Sequence, residues 1–128
     1  MPLARIDLIK GKSPEYRRTI GDAVYNAMVD ILKAPEGDRF QVIAEHDESN
    51  FIYDPTFFGI NRSKDLIIVQ LTLAEGRTLE QKRGFYKRVV DDLHERLGVR
   101  REDVFLSLVG TGREDWSFGN GEASLVKS

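Results

Sequence analysis

Apolar and polar positions along this chain fall into strand-like and helix-like stretches that come in the same order twice. The mostly apolar run Leu3 to Ile9 reads as a buried strand. Beyond Gly11, the residues Ile20, Val24, Ala27, Met28, Ile31 and Leu32 recur at helical spacing and form a buried stripe. Ser13 stands where an N-cap belongs, with Pro14 at the first helical position and Glu15 in the first turn. Pro35-Glu36-Gly37 has turn chemistry, and Phe40 to Ala44 returns as a second strand. The order then restarts with a strand over Leu66 to Leu73. Thr78 and Gln81 compose a capping box, and Phe85, Val89, Val90, Leu93 and Leu97 make a second stripe. Gly98 is a natural C-cap, and Val104 to Val109 closes the pattern.

The two halves superpose as sequence. Gly11 laid on Gly76, 65 positions further along (76 − 11), brings Ser13 onto Thr78, Glu15 onto Glu80 and Ile20 onto Phe85. Val24 meets Val89, Met28 meets Leu93, Asp38 meets Asp103 and Phe40 meets Phe105. Self-similarity at a fixed offset is the mark of a repeated supersecondary unit. The expected fold is α+β: two β-α-β crossovers in tandem, forming one mixed four-stranded sheet with both helices on one face. A single domain over residues 1–128 is expected, with units at about 2–46 and 66–110 and an aromatic segment at 111–128. Leu66-Ile67-Ile68-Val69 lacks alternation and looks buried on both sides. A sheet with one bare face and such strands is expected to self-associate. The connector between the units, Asp47–Ser63, is rich in aromatics and turn formers.

Composition narrows the chemistry. The 128 residues are 41% apolar and 31% charged with a net charge of −2, and no basic run suggests a nucleic-acid partner. The absence of cysteine excludes disulfides, thiolate metal sites and a cysteine nucleophile. His46 and His94 have no ligand spacing, so no metal site and no cofactor are expected. The start has no signal-peptide character and no stretch is long enough to span a bilayer, so a cytoplasmic protein without a membrane partner is expected.

The second residue is the most informative one. A proline behind an initiator methionine is a context in which the methionine is normally removed, leaving a secondary amine at the chain end. An α-amino group titrates at roughly 7.7–8.0 in model peptides, close enough to neutrality for a protein to use it as base or acid. Burial would disfavour its charged form, and a neighbouring carboxylate would favour it. The equivalent position in the second unit is Ile67, in mid-chain, so only one unit can carry such an amine.

The strings MPLARIDLI, AMVDILKAPEGDRFQV, RTLEQKRGFY and DWSFGNGEA together resemble the tautomerase superfamily, and within it the malonate semialdehyde decarboxylase group. The resemblance runs nearly the whole length. It implies β-α-β units fused in tandem, a homotrimer, and catalysis by the amino-terminal proline on a small carboxylate substrate without a cofactor. Carried onto this chain, it implies catalytic parts for Pro2, Asp38 and Arg77, with Arg77 binding the substrate carboxylate and Trp116 and Phe118 walling the pocket. A second arginine is expected two positions before Arg77, but Leu73-Ala74-Glu75-Gly76 contains none. That departure ranks keto–enol tautomerisation of a 2-oxo or 3-oxo acid above decarboxylation or hydration of a 3-oxo acid. An inactive trimeric ligand-binding module is the third reading. Several residues have simpler alternatives. Asp38 can serve only to close its turn, as Asp103 does in a unit without catalysis. Arg77 can be an exposed turn residue rather than a bidentate clamp. Trp116 and Phe118 can plug a core or an interface. Arg5, Arg39, Arg62 and Arg113 are open as sources of a second cation.

Overall fold

The computed structural model describes residues 2–127; the expected removal of Met1 falls outside them. The chain forms β1 (Leu3–Ile9), α1 (Pro14–Asp30), β2 (Phe40–His46), β3 (Ile67–Ala74), α2 (Leu79–Leu97) and β4 (Val104–Thr111). The sheet order is β2-β1-β3-β4. Each unit pairs its own two strands in parallel, and β1 meets β3 antiparallel at the seam. This is the mixed four-stranded sheet of two β-α-β units that the repeated pattern predicts.

Local chemistry explains the boundaries. Ser13 Oγ accepts the Tyr16 amide at 3.1 Å, and Thr78 Oγ1 accepts the Gln81 amide at 3.1 Å while the Thr78 amide donates to Gln81 Oε1 at 2.9 Å. These caps satisfy amides that the first helical turn leaves without partners. The core lies between helices and sheet. Ala4, Ile6 and Leu8 of β1 and Ile67, Val69, Leu71 and Leu73 of β3 meet Ile20, Val24, Met28, Phe85, Val89 and Leu93 of the helices. Between the helices, Arg88 reaches Asp30 at 2.9 Å, and within α2 it also holds Asp92 at 3.0 Å. At the head of α1, Lys12 pairs with Asp65 at 2.8 Å, and that hydrogen bond raises the lysine above its ordinary pKa.

β3 corrects one expectation. It starts at Ile67 and alternates, burying every second residue and leaving Gln70 exposed. The other sheet face is not a second core: it carries Leu3, Arg5 and Asp7 of β1, Gln70 of β3, and the exposed Phe40, Val42, Phe105 and Val109 of the outer strands. None of the described helices is long and apolar enough to cross a membrane.

The 65-residue offset reaches beyond the two predicted units. The 3-10 turn Glu48–Asn50 after β2 corresponds to Arg113–Asp115 after β4. The aromatic pair Phe51–Tyr53, at 6.2 Å between ring centroids, corresponds to Trp116–Phe118 at 6.0 Å. The start of the connector and the start of the tail are thus a third matching segment. The symmetry also exposes a strained position. Both helices are followed by a left-handed residue at the same place, Gly98 (φ 69°) in the second unit and Lys33 (φ 60°) in the first. A Cβ is disfavoured in that region by about 1–2 kcal/mol. Lys33 is exposed and among the described residues bonds only the Asp30 carbonyl, at 2.8 Å, so Lys33→Gly loses little in contacts. After allowing for the freer unfolded chain, the variant is expected to gain about 0.5–1 kcal/mol, read as a higher urea midpoint at unchanged slope.

Candidate active site

Parallel pairing of β1 with β2 sets Leu3 opposite Phe40, so the chain start and the turn before β2 come to the same end of the sheet. The far end of β4 reaches that end too: Leu3 lies opposite Thr72 on β3, and Ala74 lies opposite Thr111 on β4. The tail then folds back. Trp116 donates its indole N–H to Thr111 Oγ1 at 2.8 Å, and Thr111 Oγ1 donates to the Leu73 carbonyl at 3.0 Å. The Ser124 amide closes on the Trp116 carbonyl at 3.2 Å, and the Phe118 amide donates to Ser124 Oγ at 2.9 Å. These bonds hold an otherwise irregular segment in a defined curve.

The result is a cavity of about 570 Å³ lined by Pro2, Leu3, Asp38, Phe40, Trp116, Ser117, Phe118 and Leu125. Its wall is mostly apolar, and Asp38 is the one carboxylate on it. Pro2 is buried and Asp38 half-buried. The turn carrying Asp38 is braced from α1, where Tyr25 Oη accepts the Gly37 amide at 2.8 Å. Residues adjacent in neither sequence nor element thus meet: Pro2, Asp38, Trp116 and Phe118 share one space.

Arg77 is not on that wall. It is half-buried between the units, with Nε donating to the Leu32 carbonyl at 3.1 Å and Nη1 to the Ala74 carbonyl at 3.0 Å. It borders a separate recess of about 70 Å³ with Glu75, Gly76 and Lys82. The other arginines are dispersed. Arg5 pairs with Asp7 at 3.1 Å on the open sheet face, Arg39 pairs with Asp22 at 2.8 Å, and Arg62 sits in the connector. Asp103 parts company with its counterpart Asp38. It is fully buried and accepts the Ser63 amide at 2.7 Å and the Ser63 hydroxyl at 2.6 Å. Phe40 and Leu125 are lining residues that sequence reasoning missed. Phe40 was signalled by its match with Phe105 and its place two residues after Asp38; Leu125 had no signal.

A pair of β-α-β units of this topology, with a proline on the wall of a mostly apolar cavity, agrees with the resemblance to the tautomerases. Profiles described as tautomerase enzyme match residues 38–119 and 2–61, and the chain belongs to that family. It is 39% identical over 127 residues to the probable tautomerase YusQ of Bacillus subtilis, covering 99% of this chain and all of that one. Among solved structures it is similar to FG41 malonate semialdehyde decarboxylase inhibited by 3-bromopropiolate, at 38% identity and a TM-score of 0.86 over 95% of this chain and 92% of that one. A second malonate semialdehyde decarboxylase, solved in wild-type, mutant and inactivated forms to explain decarboxylase and hydratase activities, is 32% identical at 0.87, covering 96% and 95%.

Proposed function

We propose that the chain catalyses proton transfer at carbon in a small 2-oxo or 3-oxo carboxylic acid, with the nitrogen of Pro2 as the acid–base group. The observation that carries this reading is the cavity itself: Pro2 and Asp38 line a mostly apolar space large enough for a small acid and its side chain. In the forward direction the free amine takes a proton from the carbon beside the carbonyl. The C–H electron pair becomes the enol double bond and the carbonyl π pair moves to oxygen. The ammonium so formed returns its proton to that oxygen, which leaves the enzyme unchanged. Asp38 orients the substrate carbonyl or a water beside it. Trp116, Phe118 and Phe40 cover an apolar or aromatic substituent, which suits a phenylpyruvate-like acid. Arg77 enters as a brace: its two bonds hold the segment leading into the Pro35–Asp38 turn against the end of β3.

A second reading, decarboxylation or hydration of a 3-oxo acid, is favoured by the likeness to two malonate semialdehyde decarboxylases. The absence of an arginine before Gly76, together with the placement of Arg77 off the cavity wall, ranks it second. The test follows enol and keto forms of phenylpyruvate by ultraviolet absorbance, alongside CO2 release from a 3-oxo acid. Pro2→Ala is expected to lower tautomerisation at least tenfold, because the substitution exchanges a secondary for a primary amine and opens the cavity. Equal rates for both proteins overturn the proline mechanism, and CO2 release without tautomerisation transfers the proposal to the second reading.

The open sheet face supports self-association as a trimer. A fused 4-OT that shares the fold at a TM-score of 0.76 and 22% identity is a symmetric trimer. The exposed Val42 and Val109, on the sheet face beside the residues that wall the two hollows, give this chain an apolar surface suited to such packing. Sedimentation equilibrium is expected to give three times the chain mass.

A further inference from the structure

We infer that the connector holds a second, non-catalytic binding site, for a small apolar or aromatic carboxylate, at the place where the second unit repeats the cavity of the first. This inference concerns residues outside the proposed catalytic cavity and does not depend on the chemistry of Pro2. A hollow of about 220 Å³ opens between the connector and the sheet, lined by Ile52, Tyr53, Phe57, Arg62, Ile68 and Phe105 among others. Four of these occupy positions that line the first cavity when counted back or forward by 65. Ile68 stands for Leu3, Phe105 for Phe40, Ile52 for Ser117 and Tyr53 for Phe118. Four lining positions of the first cavity therefore recur in the second unit, around a smaller space of about 220 Å³ against 570 Å³.

Its chemistry has changed in two ways. Pro2 is replaced by Ile67, fully buried at the start of β3 with a peptide nitrogen, so no amine is available and a bound acid is not turned over. Asp38 is replaced by Asp103, which is consumed by Ser63 and Arg100. In exchange the hollow has acquired the guanidinium of Arg62. Its Nη1 donates to the carbonyls of Phe57 at 2.9 Å, Ile60 at 3.2 Å and Asp54 at 3.5 Å, and its Cζ lies 6.0 Å from the Phe105 ring centre. All three bonds use Nη1. Among the described residues the Nε–Nη2 edge makes no bond, and no carboxylate forms an ion pair with Arg62. Asp54 also lines the hollow; its Oδ1 is engaged by its own loop, accepting the Thr56 amide at 2.9 Å and the Thr56 hydroxyl at 3.4 Å. A fixed guanidinium with an open edge beside an apolar wall matches a carboxylate bearing a hydrocarbon group. The volume lies below the ~300–1,000 Å³ of sites for drug-sized ligands, so the ligand is a single ring or a short branched chain.

The experiment titrates the 15N-labelled full chain with phenylacetate and, in parallel, with phenylacetamide. Expected are saturable amide shifts at Tyr53, Phe57 and Phe105 with the acid, at least tenfold weaker with the uncharged amide, and separate from any response of the Trp116 indole. Arg62→Met is expected to weaken the Phe105 response at least tenfold while the Trp116 response stays. Because Arg62 also bonds loop carbonyls, the phenylacetamide comparison stands as the arm that needs no variant. Three results overturn the inference: no saturable shift at these residues, equal affinity for acid and amide, or shifts there that follow protein concentration alone. The last would mean that a second copy of the chain covers the hollow.

Discussion

A chain carrying one uncleavable residue ahead of Pro2 is expected to lose the proposed tautomerase activity by about 10²–10⁴-fold, the usual share of a positioned acid–base group. The extension turns the Pro2 nitrogen into a peptide nitrogen. Its lone pair is then delocalised into the carbonyl and it can neither take nor deliver a proton. Pro2 precedes β1 and makes no ladder contact, so urea unfolding of the extended chain is expected to match the parent. Pro2→Ala is the informative companion. It retains a titratable amine in the same place and is expected to keep more activity than the extended chain. Blocking of the cavity by the added residue is checked through Trp116, the single tryptophan, which lines the same cavity. Phenylacetate binding, read as a change in its fluorescence, is expected to fall less than turnover. Undiminished turnover in the extended chain would remove the amine from the mechanism and leave the cavity as a binding site.

The architecture was legible because each level of the sequence pointed the same way. Caps, apolar stripes and the Asp-x-Phe pair coincide at an offset of 65, so secondary structure and topology follow from one observation. The site was legible in part, and the reasons differ by residue. Pro2 and Asp38 sit at the starts of two strands that parallel pairing must bring together, so their meeting follows from topology. Trp116 and Phe118 were visible as aromatics among glycines, but their return to the cavity depends on the Trp116–Thr111 and Phe118–Ser124 bonds, which no periodicity announces. Arg77 shows the opposite case. Its position at the head of α2 is as read, yet the direction of a long side chain is decided by two backbone carbonyls that come from distant segments. The extension of the repeat through Phe51 and Trp116 is faint in the sequence because little beyond aromatic character is shared between the copies, and one copy is a connector while the other is a tail.

The two equivalent aspartates are expected to fail in opposite ways, which separates structure from chemistry within one chain. Asp103 has no exposed surface and gathers an amide, a hydroxyl and, at 3.4 Å, the Arg100 guanidinium. Asp103→Ala leaves the Ser63 amide and hydroxyl facing a buried gap, and the connector loses its anchor to β4. Charged acceptors of this kind are worth about 1.5–3 kcal/mol per bond, and stranded buried donors cost more, so a loss of about 2–4 kcal/mol is expected. That is a large part of the total for a domain of this size. Asp103→Asn retains one acceptor oxygen and is expected to lose less. Asp38 is half-buried on a cavity wall, and its turn is held independently by the Asp38 amide on the Pro35 carbonyl at 3.2 Å and the Tyr25 hydroxyl on Gly37. Asp38→Ala is therefore expected to shift stability by less than about 1 kcal/mol, as usual for a partly exposed site, while slowing phenylpyruvate tautomerisation at least tenfold. Urea midpoints and turnover, measured at a temperature where all variants are folded, distinguish the cases. If Asp103→Ala unfolds like the parent while Asp38→Ala is the destabilised one, the division of labour drawn here between the two units is reversed. If Asp38→Ala turns over at the parent rate, the carboxylate has no part in the chemistry and serves its turn alone.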